Sequence, residues 1–303
     1  MEISSATLNA TRGRLLNRFG PRVEQWWEQL PTVISALTDR WELVVGDPVA
    51  RGNTSLVIRC RRPDGSRGVL KLTPDAQIVV GEASALRSWE ASGRVPVVWD
   101  SDEVLGALLL EAIPNELPVS ESGLVVGLDE VANLIGSLHR SGAPVLGNGI
   151  VSQAERIGFI FEHWIGRHGG RGDVVTCSVP VQRLRRGYQL AQELVSDAVV
   201  PVLLHGDLHP GNVLDGGPAR GLVAIDPRPC VGDAPVDAVD WVFWAVDDPR
   251  VWEQRSRNLA VALGIDHERL WAWCAAFAAM LAASKAAQGA PAEVVTALLA
   301  LGP

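Results

Sequence analysis

Between residues 203 and 214 the chain reads LLHGDLHPGNVL, an apolar stub, an abrupt polar turn and a second apolar stub. Asp207 and Asn212 stand five residues apart in that turn. A carboxylate can take a proton from a hydroxyl, and an amide oxygen is a hard ligand suited to a divalent cation. Fourteen residues after Asn212, the apolar stretch VAIDPRP carries Asp226, a second hard oxygen ligand. HGD alone makes a turn, and IDP alone ends a strand. The informative feature is acid, amide and strand-terminal acid in this order and spacing. The order suits metal-assisted phosphoryl transfer. Asp207 would receive or orient the proton of an acceptor hydroxyl, and Asn212 and Asp226 would hold Mg2+ ions bridging the phosphates of ATP. Magnesium keeps several waters, so two protein oxygens suffice.

Such chemistry also needs a compact positive charge on the α- and β-phosphates. The chain has two lysines, Lys71 and Lys285, against 25 arginines. Lys71 lies in GVLKLT, and Glu82, eleven residues on, is placed to pair with it. The alternatives are an edge-strand lysine facing solvent and an exposed helical glutamate. ARGNTSLV (50–57) offers Gly52, Asn53, Thr54 and Ser55, whose backbone N–H groups and hydroxyls suit phosphate, although a hairpin turn has much the same composition. LLLEAIP (108–114) falls where backbone groups near Glu111 and Ile113 would meet adenine.

Positioning these residues requires strands first and helices later. Residues 21–38 have helical apolar spacing interrupted by Pro31, and from Trp41 the period shortens. WELVV, SLVIRC and GVLKLT read as strands, with RPDG (62–65) as a turn, 75–91 as a helix, and VPVVW and GALLLEAI as two further strands. The result is a small five-stranded antiparallel α+β lobe over 1–113. Residues 114–303 read as a larger, mainly helical lobe. Its helices are expected over 128–140, 152–167, 180–197, 236–246, 250–263 and 266–288, with strand-like material only around 199–204, 212–214 and 221–226. The glycine-rich GRHGGRGD (166–173) reads as a surface loop.

Composition bounds the partners. At 47% hydrophobic and 20% charged residues, long disorder is excluded. The start shows no basic segment followed by an apolar stretch, and the longest apolar run, WAWCAAFAAMLAA (271–283), is shorter than a membrane span. Four scattered cysteines form neither a metal pattern nor a disulfide framework, so a reduced, cytoplasmic protein is expected, with no membrane partner. The net charge of −8 divides into −1 over residues 1–113 and −7 beyond, a surface that repels nucleic acid and attracts cations. Much of the acid lies between Asp226 and Glu253, where Asp233, Asp237 and Asp240 form a patch suited to a cationic substrate. A solvated acidic helix is the plainer alternative, and Asp237 could instead brace the catalytic loop.

Taken together, LPTVISALTDRWEL, GNTSLVI, GVLKLT, GEASALRSW, LLLEAI, LHGDLHPGNVL and AIDPRPCVGDAPVD resemble the aminoglycoside phosphotransferase family, in particular its streptomycin 6-phosphotransferase and hydroxyurea kinase branch. The resemblance implies a two-lobed protein-kinase-like fold with ATP or GTP between the lobes. It implies Asp207 as catalytic base, Asn212 and Asp226 as metal ligands, Lys71 with Glu82 as the phosphate-positioning pair, and His205 as a loop brace. The phosphate loop has fewer glycines than that of protein kinases, and proline follows Asp226 where those carry phenylalanine. The passage from Asp226 into helix is short and leaves little platform for a peptide. A monomeric kinase of a small, cationic, hydroxylated molecule is the expectation, streptomycin at its 6-hydroxyl foremost. A sugar, amino alcohol or hydroxyurea kinase and a non-catalytic nucleotide-binding scaffold are the alternatives.

Overall fold

The computed structural model describes residues 5–50, 52, 54–169, 179–197 and 199–303. Two helices lead, α1 (Ser5–Phe19) and α2 (Arg22–Arg40). Val23, Leu30 and Leu37, seven residues apart, form the buried stripe of α2, and Pro31 lies within the helix without ending it. Packing of that stripe on both sides of the proline outweighs the lost backbone bond.

Five strands follow: β1 (Val44–Pro48), β2 (Leu56–Arg61), β3 (Arg67–Leu72), β4 (Val98–Asp102) and β5 (Ala107–Glu111), with α3 (Ala76–Trp89) inserted after β3. They make one antiparallel sheet in the order β1-β2-β3-β5-β4. The expected strand at WELVV begins later, at Val44, because residues 41–43 close the end of α2. Trp41 N–H donates to the Leu37 carbonyl, Leu43 N–H donates to that of Thr38, and Glu42 takes a left-handed backbone with φ 52°.

The helical lobe contains α4 (Val119–Ser122), α5 (Leu128–Ser141), β6 (Val151–Ser152), α6 (Gln153–Gly169), α7 (Val181–Ser196) and β7 (Val202–Leu204). These are followed by β8 (Val213–Asp215), β9 (Leu222–Ala224), β10 (Cys230–Gly232), α8 (Val239–Phe243), α9 (Trp252–Leu263), α10 (His267–Ala287) and α11 (Ala292–Leu301). β10 pairs antiparallel with β7 and parallel with β6, and β8 and β9 form a hairpin. Four expectations change, the first being that strand material is confined to three places, since β6 and β10 add two more that are too short to show a period. The helix expected over 236–246 is a 3-10 turn over Ala234–Ala238 followed by α8, which stops where the chain turns through Ala245 at φ 55°. α6 continues through Gly169, so the expected loop starts inside a helix, and 170–173 lie outside the described residues. α11 adds a helix at the end of the lobe.

α10 is long and apolar enough to cross a membrane by length and composition, but Leu270, Trp273, Cys274, Met280 and other residues on it are buried in the lobe. Its low polarity reflects packing against α7, α9 and α11. One core runs from Val79, Leu86 and Trp89 of α3 through α5 to α10, so α3 is packed on the helical lobe. A second core lies between the leading helices and the sheet, built from Leu30, Leu37, Leu56, Leu70 and Leu109.

Candidate active site

β7 delivers the loop that carries Asp207 and Asn212. Beyond Leu204 the chain turns sharply at Gly206, with φ 72°, and a Cβ there would fall on the Arg228 carbonyl oxygen, so only glycine fits. The turn leaves two backbone N–H groups pointing inward. Asp237 accepts both, from His205 at 2.8 Å and Gly206 at 2.9 Å, and its carboxylate also meets His139 Nε2 at 3.0 Å. Burial opposes the charge on Asp237, but His139, His205 and the Gly206 N–H outweigh it and hold the carboxyl below its ordinary range. His205 is fully buried, stacked on Trp89 with ring centroids 6.1 Å apart, and its Nε2 lies 3.0 Å from the Ile225 carbonyl. Burial pushes its pKa down, which keeps it neutral and suits a brace.

Asp207 emerges from this framework with its side chain 42% exposed. Asn212 sits on the 3-10 turn Pro210–Asn212 and donates from Nδ2 to the Asp207 carbonyl at 2.9 Å and, more loosely, to Oδ2 at 3.3 Å. Its amide orientation is thereby set, with Nδ2 turned to Asp207, and no hydrogen bond to Oδ1 is present among the described residues. Ile225 N–H donates to the Asn212 carbonyl at 2.9 Å, so the β8–β9 hairpin carries Asp226 to the side of Asn212. Asp226 takes a left-handed backbone, φ 56°, at a cost of order 1–3 kcal/mol that a non-glycine residue bears where surrounding structure over-determines it.

Lys71 comes from the C-terminal end of β3, one residue before the strand ends at Leu72. Its ammonium is 3% exposed and donates to Glu82 Oε1 and Oε2 at 2.8 and 2.6 Å and to Asp226 Oδ1 at 2.8 Å. Glu82 reaches this position because α3 comes within van der Waals limits of the turn at Gly149, where a Cβ on Gly81 or on Gly149 would meet backbone atoms of the other residue. Burial opposes the charge on Lys71, yet Asp226 and Glu82 outweigh it and hold the ammonium above the usual lysine range. Burial pushes the Glu82 carboxyl up, and Lys71 offsets only part of that. Asp226 resists the same burial because Lys71 holds its carboxyl below the usual range.

Lys71, Asp207, Asn212 and Asp226 all line one cleft of about 820 Å3. Of the phosphate-loop residues, Gly52 and Thr54 line it too, and Thr54 Oγ1 accepts from the Arg228 guanidinium. Ser55 is buried behind the loop, and Asn53 lies outside the described residues. Glu111 and Ile113 line the same cleft, with the Glu111 carboxylate paired to Arg220 at 2.7 Å and Ile113 packed near Leu214 and Val223.

The acidic patch divides. Asp233 does not reach the cleft. Its carboxylate accepts from Arg269 Nε and, at 2.6 Å, from Trp273 Nε1, a pairing within the lobe that corrects the expectation of a substrate contact. Asp237 lines the cleft floor, but its oxygens hold the catalytic loop, which is the bracing alternative. Asp240 is half-buried, lines the cleft and has no hydrogen-bond partner among the described residues. Burial, with Asp207 and Asp237 nearby, pushes its carboxyl up against the opposing effect of His209.

Among the arginines of the cleft that escaped sequence reading are Arg14, Arg156 and Arg228. Arg14 of α1 donates to the carbonyls of Gly52 and Ala50, each at 3.0 Å. Arg228 carried a weak signal, two residues past Asp226. The other two sit in amphipathic helices whose spacing does not distinguish a cleft arginine from a surface one. The facing wall is apolar, with Ile157 from α6 and Phe277, Met280 and Leu281 from α10.

The family described as aminoglycoside/hydroxyurea antibiotic resistance kinase matches residues 40–289. The chain belongs to that family. Among relatives of this kinase, streptomycin 6-kinase of Streptomyces glaucescens is 31% identical over 84% of the chain and 82% of its own length. Hydroxyurea phosphotransferase of Kitasatospora aureofaciens is 32% identical over 84% of the chain and 72% of its own length. Aminoglycoside phosphotransferase APH(4)-Ia shares the fold, with a TM-score of 0.59 and 17% identity over 90% of this chain and 99% of its own. The kinase is a phosphotransferase that uses a nucleotide, and its two-lobed fold is that of the resistance kinases.

Proposed function

We propose that this kinase transfers the γ-phosphoryl group of ATP to a hydroxyl of an aminoglycoside antibiotic, with the 6-hydroxyl of streptomycin as the first acceptor to test. The observation that carries the catalytic half is the convergence of Lys71, Asp207, Asn212 and Asp226 on one cleft from segments as much as 155 residues apart. Asp207, exposed and held by its own loop, accepts the hydroxyl proton. Lys71, fixed by Glu82, meets the phosphates, and Gly52, Thr54 and the backbone at Glu111 and Ile113 cradle the nucleotide. The donor set fits Mg2+: an amide oxygen and a carboxylate are hard ligands, and two protein oxygens suit an ion that retains water. Asn212 Oδ1 and Asp226 would hold it, and bound there it would neutralise charge on the phosphates.

The acceptor half rests on Asp240. A carboxylate that lines a cleft with no hydrogen-bond partner among the described residues is arranged for a cation, and a guanidinium matches it in a bidentate manner. The relative that phosphorylates streptomycin supports this reading. The one that phosphorylates hydroxyurea supports a second, in which a small neutral acceptor uses the same base. Mass spectrometry after incubation with Mg2+ and ATP decides between them: streptomycin should gain one phosphate. Phosphorylation of hydroxyurea or a neutral sugar with none on streptomycin would reject the first reading. Replacing ATP by GTP in the same assay fixes the donor. Asp207→Ala should still bind ATP but transfer nothing, and turnover near that of the wild type would remove Asp207 from its role.

A further inference from the structure

Arg156 stands in the first turn of α6 and reaches the catalytic loop from below. Its side chain is only 14% exposed. It donates from Nε at 3.2 Å and from Nη2 at 3.1 Å to one acceptor, the carbonyl of Gly206. That carbonyl and the Asp207 N–H belong to the same peptide group. The peptide before it is held from the other side, where Gly206 N–H donates to Asp237 at 2.9 Å. Gly206 is therefore gripped at both ends, with a left-handed backbone and the Arg228 carbonyl against its Cα leaving no room to relax. The same Nη2 lies 4.0 Å from Asp207 Oδ1.

The location is unfavourable for a guanidinium. Burial pushes its pKa below the ordinary arginine range; Asp207 and Cys230 oppose this, while Arg228 and Arg18 deepen it. A side chain needed only to fill space under a loop would be better apolar, since burying a charge costs free energy that packing alone does not return. What an apolar residue cannot supply is two N–H donors in a fixed fork on one carbonyl with a positive charge beside the neighbouring carboxylate.

We propose that Arg156 is a positioning residue for phosphoryl transfer, fixing the Gly206–Asp207 peptide so that the Asp207 carboxylate faces the acceptor hydroxyl. The inference rests on the reading of Asp207 as the proton acceptor. It places a determinant of turnover in α6, a helix that carries none of the sequence motifs.

The test compares Arg156→Ala, Arg156→Met and Arg156→Lys with the wild type, using Mg2+, ATP and whichever of streptomycin or hydroxyurea the wild-type enzyme phosphorylates. With misplacement of the base as the cause, kcat of the folded Ala and Met variants should fall on the order of 100-fold. KM for ATP and for the acceptor should stay within about threefold of wild type, the pattern of a lost transition-state contribution. Guanidinium ion added at non-denaturing concentration should restore part of the kcat of Arg156→Ala. Arg156→Lys should recover only part, because one ammonium cannot reproduce the fork. The proposal is overturned if folded Arg156→Met keeps wild-type kcat, or if the loss appears in melting temperature or KM alone. Asp207→Ala separates the two layers. If it is inactive while Arg156→Met is fully active, only this inference fails; if it is itself active, the reading beneath fails as well.

Discussion

Asp237→Asn changes one oxygen for nitrogen at a buried position and distinguishes a brace from a substrate contact. The wild-type carboxylate accepts from His205 N–H on Oδ2 and from Gly206 N–H on Oδ1, and Oδ2 also meets His139. Asparagine has one acceptor oxygen, so whichever way the amide turns, at least one of the two backbone N–H groups faces an NH2. A hydrogen bond to a charged group contributes about 1.5–3 kcal/mol, and a buried donor left unpaired costs about 1–3 kcal/mol. The two descriptions overlap, because losing the bond and stranding its donor are the same event. A loss of about 1.5–3 kcal/mol is therefore expected, which for a chain of this size lowers Tm by roughly 2–5 °C. Because either stranded group lies within two residues of Asp207 in the same turn, kcat should fall with every acceptor tried, in equal proportion, while the order of preference among acceptors is unchanged. The gap should also depend on pH. The Asp237 carboxyl lies below its unfolded value in the native protein, so its contribution is complete above about pH 4 and drains away as pH falls further. The difference in melting temperature should then narrow in acid as the wild type loses what the variant never had. Calorimetric melts from neutral to acidic pH, alongside kcat and KM for a cationic and a neutral acceptor, test both parts. An unchanged melting temperature at neutral pH, with KM raised only for the cationic acceptor, would refute the bracing role and return Asp237 to the substrate.

Asp240→Asn should behave in the opposite way. It should hold Tm or raise it, since the ionised carboxylate is disfavoured where it stands, and raise KM for a cationic acceptor about tenfold, the effect of a charge-assisted bond worth about 1.4 kcal/mol in binding, with KM for ATP unaltered; an equal rise for hydroxyurea would count against a charge contact. Glu82→Gln leaves Lys71 with Asp226 as its remaining carboxylate, so the stability loss should fall near the lower end of the range for a broken buried pair, about 3 kcal/mol, and KM for ATP should rise. Calorimetry and steady-state kinetics read both, and a variant with normal stability and KM would show that Glu82 does not set the position of Lys71. Gly206→Ala should be inactive and less stable, since a Cβ at φ 72° would collide with the Arg228 carbonyl; a folded variant turning over at the wild-type rate would show that the loop can move aside.

How much of this was legible in the sequence depended on whether a residue's role is set locally. Asp207 and Asn212 are tied by a turn of a few residues, so their spacing carries the geometry, and the strand leading to Asp226 is short enough to follow as a pattern. Lys71 could be found because lysine is rare in this chain and because counting strands places it, and the five-stranded sheet followed from changes of period. The shorter pieces, β6 at two residues and β10 at three, carry too few side chains for any period to show, although β10 sets the path from Asp226 to Asp237. The acidic patch shows where local reading ends. Asp233, Asp237 and Asp240 are the same residue type within eight positions, and although bracing is an alternative for Asp237, spacing alone does not decide among their roles. The fold does so by what each carboxylate meets. Asp233 meets Arg269 and Trp273, which follow it by 36 and 40 residues. Asp237 meets two N–H groups exposed only because Gly206 turns left-handed, and one imidazole from α5. Asp240 has no hydrogen-bond partner among the described residues, only charged neighbours in His209, Asp207 and Asp237, and its carboxyl group lines the cleft. A fully buried carboxylate is tolerable only with a partner: Asp233 and Asp237 find theirs inside the lobe, whereas the half-buried Asp240 keeps its carboxylate on the cleft, which is why the proposed contact with a cationic acceptor is assigned to it and not to them.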